Sequence, residues 1–238
     1  PARDEEGTIG PIVAAVAGRL VDAGLVDDVV VADDGSVDAT AAEAAAAGAR
    51  VVDVADAPPT ADPRPGKGEA MWKALHASTG ELVVFLDADL EGFDPAWVAR
   101  LLGPLLVDPG VTFVKGHYDR GTGESGPGGG RVTELVARPA ISLHHPDLGH
   151  LRQPLGGEYA GRRRTLEAVP FAGGYGVDLG LLIDVARRDG VDAIAQVDLG
   201  VRTHRNRPVV DLGVQAAEVL HVALRRAGVA VDAAPVLL

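Results

Sequence analysis

The sequence predicts an α/β protein built on a mostly parallel sheet with helices on both faces. Three observations carry this. Short β-branched runs end in acidic residues, helical stretches separate them, and the two alternate from residue 8 to residue 118. The chain has 238 residues, 47% hydrophobic and 24% charged, a globular balance. With four Phe, three Tyr and two Trp, its core must be mostly Val, Leu, Ile and Ala.

Residues 8–26 place Ile9, Ile12, Val13, Val16, Leu20 and Val21 near helical spacing. Residues 29–33 then read as a buried strand, and 37–47 as a helix stopped by Gly48. A second strand covers 50–54, and the four prolines of 58–66 make that stretch a loop. A helix over 68–78 leads to the clearest strand, 81–87. Residues 94–107 are a helix with Pro95 near its first turn, and 111–118 a strand. Beyond 119 the pattern loosens. Residues 121–130 hold six glycines, and later segments give a helix over 177–188, a strand near 193–199, a loop over 202–208 and a helix over 210–226. No clean linker appears, so the expectation is one domain whose first half is 1–118 and whose appended C-terminal half is 119–238. Pro1 stands where a first strand should already have ended. Sequence upstream of it is therefore expected, the alternative being that residues 234–238 take that slot.

A net charge of −12 argues against a general nucleic-acid binder. The charge is uneven: residues 1–62 carry a net of −10 and residues 63–238 a net of −2. Two stretches are locally basic, 115–164 and 187–207. No apolar run approaches the roughly 18 residues that span a bilayer, and residues 1–10 do not read as a basic-then-apolar leader. Zero cysteine removes disulfides and thiolate chemistry and fits a cytoplasmic setting.

Five segments could carry chemistry. Asp87-Ala88-Asp89 follows a buried strand, where α/β sheets bind ligands, and its carboxylates can hold a hard cation. Residues 33–40, Asp-Asp-Gly-Ser-Val-Asp-Ala-Thr, end another strand and open a helix, placing carboxylates and free N–H groups together. Lys67, one of three lysines, sits between Gly66 and Gly68 ahead of a helix, a setting suited to phosphate but without P-loop spacing. Residues 128–133, Gly-Gly-Gly-Arg-Val-Thr, combine backbone donors, a guanidinium and a hydroxyl. His204 stands beside Arg205, Asn206 and Arg207 in a loop past a strand. Taken alone, each also fits a plainer role: an acidic turn, a helix cap, a solvated lysine, a glycine hinge or a structural histidine.

Taken together, and in this order, the segments resemble the glucosyl-3-phosphoglycerate synthases. These are retaining glycosyltransferases of the GT-A type, a Rossmann-like fold, and kin of the mannosyl-3-phosphoglycerate synthases. The resemblance covers nearly the whole chain and is most specific at 128–139 and 194–208. It implies a nucleotide-sugar half followed by an acceptor-binding half. Pro1, Ala2, Glu5, Asp34 and Lys67 would hold the nucleotide, with Asp87 and Ala88 on the donor's sugar or ribose. Asp89 and His204 would bind Mg²⁺ or Mn²⁺ against the diphosphate. Gly130, Arg131, Thr133 and Asn206 would take the 3-phosphoglycerate acceptor. Leu155, through its backbone, with Tyr175 and Asp178 would line the reacting sugar. Relatives suggest a homodimer, while the charge and hydropathy above lead us to expect no nucleic-acid or membrane partner.

The implied reaction moves glucose from UDP-glucose, or GDP-glucose, to the 2-hydroxyl of 3-phosphoglycerate. No nucleophile is evident, so front-side attack assisted by the leaving phosphate is the expectation. The family usually has Ser where Asp34 stands and Glu where Asp178 stands, and the 115–130 loop looks short. Three competitors remain open: a mannosyl enzyme using GDP-mannose, a haloacid-dehalogenase-type phosphatase, and a nucleotide-sugar-binding remnant without activity.

Overall fold

The computed structural model describes residues 1–54, 66–120, 130–202 and 212–231. Strand β1 (Val30–Asp33) pairs in parallel with β2 (Arg50–Asp53), Val31 opposite Val51. Four more strands, β3 (Leu82–Phe85), β4 (Phe113–Arg120), β5 (Tyr159–Arg162) and β6 (Ile194–Arg202), form a second sheet in the order β3-β5-β4-β6. Strand β5 is antiparallel to both neighbours, while β4 and β6 run parallel with a bulge between His117 and Asp119.

The sheet is therefore mixed, which corrects the mostly parallel expectation. The reason is β5. Its Tyr-Ala-Gly-Arg sequence lacks strand alternation, and it comes from the second half of the chain yet lies between two strands of the first. Glycines make the insertion possible. A Cβ at Gly161 would press on Leu166, and one at Gly116 would press on Leu199 and the Glu158 carbonyl.

Two of the helices open on an amide taken by an aspartate two residues earlier. Helix α1 (Ile9–Val16) buries Ile9, Ile12, Val13 and Val16 and continues as a π turn over Ala17–Val21. Helix α2 (Thr40–Ala46) starts three residues later than the sequence suggests, because the Asp38 carboxylate accepts the Thr40 N–H at 3.0 Å. Helix α3 (Lys67–Ala77) follows Gly66, and an arginine finishes it: Arg163 Nη1 donates to the Leu75 carbonyl at 2.7 Å. Asp94 accepts the Ala96 N–H at 2.9 Å to open α4 (Ala96–Val107). Then come α5 (Arg138–His144), continuing a π turn over Thr133–Ala137, α6 (Arg163–Leu166), α7 (Val177–Asp189) and α8 (Leu212–Arg226).

The main core gathers on one face of the larger sheet. Tyr159 on β5 lies 5.5 Å from Phe85 on β3 and 5.3 Å from Phe113 on β4, ring centre to ring centre. Leu179, Leu181 and Leu182 of α7 close over it. A second cluster around Trp97, Leu101 and Leu105 of α4 covers the other face. Between β1 and β3 lies an apolar cavity of about 450 Å³ lined by Val16, Val31, Val84, Leu86 and Val98. Residues 234–238 lie outside the described residues, as do the 58–65 and 121–129 loop segments.

The crossing of α3 and α7 positions everything that follows, and it depends on Gly68. A Cβ there would collide with the Ala172 carbonyl and crowd Val177. Gly68→Ala should therefore lower the unfolding free energy by about 3 kcal/mol, seen as a reduced urea midpoint at unchanged slope.

Candidate functional site

A cleft of about 500 Å³ opens beyond the carboxyl ends of β1 and β3, the position where α/β sheets receive ligands. The loop leaving β3 carries Asp87, Ala88 and Asp89 into it. Lys67, in the first turn of α3, reaches the same point. Its ammonium stands 3.0 Å from Asp87 Oδ1 and 3.0 Å from Asp178 Oδ1 on α7. Burial disfavours the Lys67 charge, but Asp178 and Asp87 outweigh burial and hold the amine protonated. Tyr159 donates its hydroxyl to Asp178 Oδ1 at 3.2 Å, so the whole ion cluster rests on the aromatic core.

A second cation completes the floor. Arg202, at the end of β6, is 5% exposed in its side chain and donates Nη1 to Glu158 Oε1 at 2.6 Å and Nη2 to Asp89 Oδ1 at 3.1 Å. Its Nη1 also meets the Tyr118 hydroxyl at 3.0 Å and lies 3.8 Å from Asp87 Oδ2. Burial pushes Asp87 up, yet Lys67 and Arg202 together hold it down at about 2. Burial, with Asp87 close by, pushes Glu158 up to about 7, and Arg202 opposes them. Gly157 allows this packing, since a Cβ there would collide with the Asp87 carboxylate.

The donor-side residues lie at the other wall. Ala2 donates to the Ala32 carbonyl at 2.9 Å and accepts from the Asp34 N–H at 2.9 Å, forming a single parallel bridge beside Asp33 at the end of β1. The Glu5 N–H is taken by Thr40 at 2.7 Å. On the facing wall, Gly130 adopts φ +83° and its carbonyl accepts the Glu134 N–H at 2.8 Å, which directs Arg131 and Thr133 to the cleft. Leu155 lines the cleft as well. So does Tyr175, whose N–H is taken by Glu218 at 2.7 Å.

Every described residue singled out from the sequence thus borders this one cleft: Pro1, Ala2, Glu5, Asp34, Lys67, Asp87, Ala88, Asp89, Gly130, Arg131, Thr133, Leu155, Tyr175 and Asp178. His204 and Asn206 lie outside the described residues. The strand that leads to them ends at Arg202, within the cleft.

Sequence reasoning missed Arg202, Glu158, Lys115 and Glu218. Arg202 was visible only inside the basic 187–207 stretch. Lys115 carried a usable signal, being a rare lysine in an otherwise apolar strand. It is 1% exposed, donates to the Gly156 carbonyl and lies 4.4 Å from the centre of the Tyr159 ring. Burial pushes its amine down to about 8. Asp89 is the described residue that could offer a ligand to a hard cation: its carboxylate is half-exposed and paired with Arg202 at 3.1 Å. Among the described residues there is no group of three metal-ligating side chains, so Asp89 could supply only part of a coordination shell.

The depressed Asp87 has a pH signature. Its contribution to stability is fully present above the ordinary carboxylate value of 3.8 and is lost as pH falls through about 2. Asp87→Asn should therefore cost more stability at pH 5 than at pH 2.5, measured by denaturant titration at both. An equal cost would contradict the Lys67–Asp87–Arg202 assignment.

Comparison with known proteins places this arrangement. The sequence profile described as "Glycosyl transferase family 2" matches residues 1–166. A glucosyl-3-phosphoglycerate synthase of Mycolicibacterium paratuberculosis is 52% identical over 236 residues, 96% of this chain and 71% of that protein. One from Mycolicibacterium smegmatis is 51% identical over 233 residues, 96% and 76% of the two chains. A solved structure of the Mycobacterium tuberculosis synthase with Mn²⁺, UDP-glucose and phosphoglyceric acid superposes with a TM-score of 0.88 at 48% identity. It covers 98% of this chain and 79% of that one.

Proposed function

We propose the following chemistry for this chain, which belongs to glycosyl transferase family 2 and, within it, to the glucosyl-3-phosphoglycerate synthases. It is a hexosyltransferase that moves glucose from UDP-glucose to 3-phosphoglycerate. One observation supports the residue roles best: donor-side and acceptor-side residues line a single cleft that also holds Asp87 and Asp178, joined by Lys67.

In this reading Pro1, Ala2, Glu5, Asp34 and Lys67 seat the nucleotide, with Asp87 and Ala88 beside the sugar. Residues 1–118 then form the donor half and 119–238 the acceptor half. Gly130, Arg131, Thr133 and Asn206 take the phosphoglycerate, whose negative charges the basic 115–164 and 187–207 stretches attract. Leu155, Tyr175 and Asp178 line the glucose. Asp178 is one methylene shorter than the Glu expected of the family, but its carboxylate is committed to Lys67 and Tyr159 and needs no further reach to form them.

The bond from the glucose C1 to the donor phosphate breaks, and C1 bonds to the acceptor 2-hydroxyl on the same face. The hydroxyl proton passes to the departing phosphate oxygen. Asp89 and His204 would hold Mg²⁺ or Mn²⁺, which when bound supplies Lewis-acid neutralisation of the leaving diphosphate. Lys67 and Arg202 add fixed positive charge beside it without reorganising, which is worth most in a site that excludes water. A homodimer in the cytoplasm belongs to the same reading, supported by the exposed Leu135 and Leu143 beside α5 and by phosphorylated, charged substrates.

The phosphatase alternative requires a catalytic lysine after the Asp-x-Asp pair. Lys115 is the lysine that follows it, and its ammonium is buried against Gly156 and Tyr159 rather than lining the cleft.

A transfer assay with UDP-glucose, 3-phosphoglycerate and Mn²⁺ tests the reading, with the anomeric configuration of the product read by NMR. Asp89→Ala should cut metal-dependent turnover by about 100-fold or more while the thermal midpoint stays near wild type. Wild-type-like turnover would remove the metal assignment. Arg131→Ala should raise the acceptor KM by about tenfold and the donor KM by less than about twofold. Equal effects on both would show that the acceptor site lies elsewhere.

A further inference from the structure

The turn that carries Tyr175 is held by Glu218 of α8, a residue that also lines the cleft and has no role in the reading above. Gly174 has φ +60°, a left-handed conformation that glycine adopts cheaply. The Glu218 carboxylate of α8 lies directly on this turn, where a Cβ at Gly174 would collide with it. The same carboxylate accepts the Tyr175 N–H at 2.7 Å. Two residues later α7 begins, and its first turn bears Asp178, the partner of Lys67. On its other side the turn meets α3: a Cβ at Gly66, immediately before Lys67, would lie 3.4 Å from Gly174 Cα. Gly176 is equally tight, facing Val222 and the Glu218 carbonyl.

We propose that Glu218 is a positioning residue for glucose recognition: its carboxylate clamps the 174–176 turn and so fixes where Tyr175 and Asp178 face the sugar. The inference rests on the assignment of Tyr175 and Asp178 to the sugar pocket. Its physical basis is a charge-assisted hydrogen bond to an amide just ahead of a helix, where negative charge also suits the helix dipole. The turn has little to hold it otherwise, with glycine at 173, 174 and 176 around a single side chain at 175.

The test compares binding of UDP and UDP-glucose by calorimetry in full-length wild type, Glu218→Ala, Glu218→Asp and Glu218→Gln. Alanine removes the acceptor and aspartate draws it back by one methylene, whereas glutamine keeps an oxygen that can take the Tyr175 N–H. The ratio of UDP-glucose to UDP affinity should fall about tenfold in the Ala and Asp variants, with UDP affinity unchanged within about twofold, and recover in part in the Gln variant, whose oxygen takes the amide without the charge. Amide exchange across residues 174–178 should accelerate in the Ala and Asp variants and recover with Gln. Should the Ala variant fail to fold, the Asp and Gln pair carries the comparison. An unchanged sugar preference with unchanged exchange overturns the proposal, and so does a Gln variant as impaired as Ala. A wild-type protein that binds UDP-glucose no better than UDP instead overturns the sugar-pocket reading. In that case exchange still decides whether Glu218 clamps the turn.

Discussion

The cleft depends on one largely buried ammonium, its side chain 14% exposed. Lys67 stands between Asp87 and Asp178, 3.0 Å from each, and those three residues come from the start of α3, the exit of β3 and the first turn of α7. A charge removed from water is tolerated only when paired and hydrogen-bonded, so each partner constrains where the others can be. Much of the local sequence serves this geometry. Gly68 lets α3 approach Ala172 and Gly157 lets the chain pass the Asp87 carboxylate, while Tyr159 supplies the remaining hydrogen bond from the core. Arg202 extends the same logic to Asp89 and Glu158, giving alternating charges across the floor.

This charge pattern also suits the substrates. The protein is acidic overall, with most of the excess before residue 63, yet the cleft gathers Lys67, Arg131 and Arg202. The lining also carries a larger number of carboxylates, so Lys67 and Arg202 act as local, paired charges rather than as part of a positive field. The two cations beside Asp87 are prearranged by their carboxylate partners, and in the proposed reaction they would offer the leaving diphosphate fixed charge.

The α/β alternation through residue 118 was legible because β-branched runs and helical periodicity are local signals, and observed boundaries differ from the expected ones by a few residues. Strand β5 was not legible. Tyr159–Arg162 has no alternation, and its place between β3 and β4 is decided by glycines that yield to neighbours from distant sequence. The same contrast holds at the site. Asp87, Asp89, Lys67 and the Gly130–Thr133 turn stood out through position after strands and glycine context. Glu158 and Glu218 did not, because a carboxylate gains its meaning from a partner, Arg202 or the Tyr175 amide, more than 40 residues away.

The most direct measurement is a double-mutant cycle in unfolding free energy on Lys67→Met and Asp178→Asn. If the ammonium is the keystone, each single variant leaves a buried partner uncompensated and the double variant recovers part of the loss. The cycle should then give a coupling of about 2 kcal/mol or more. Effects that add within about 0.5 kcal/mol would show that the two groups do not depend on each other, and would contradict the account.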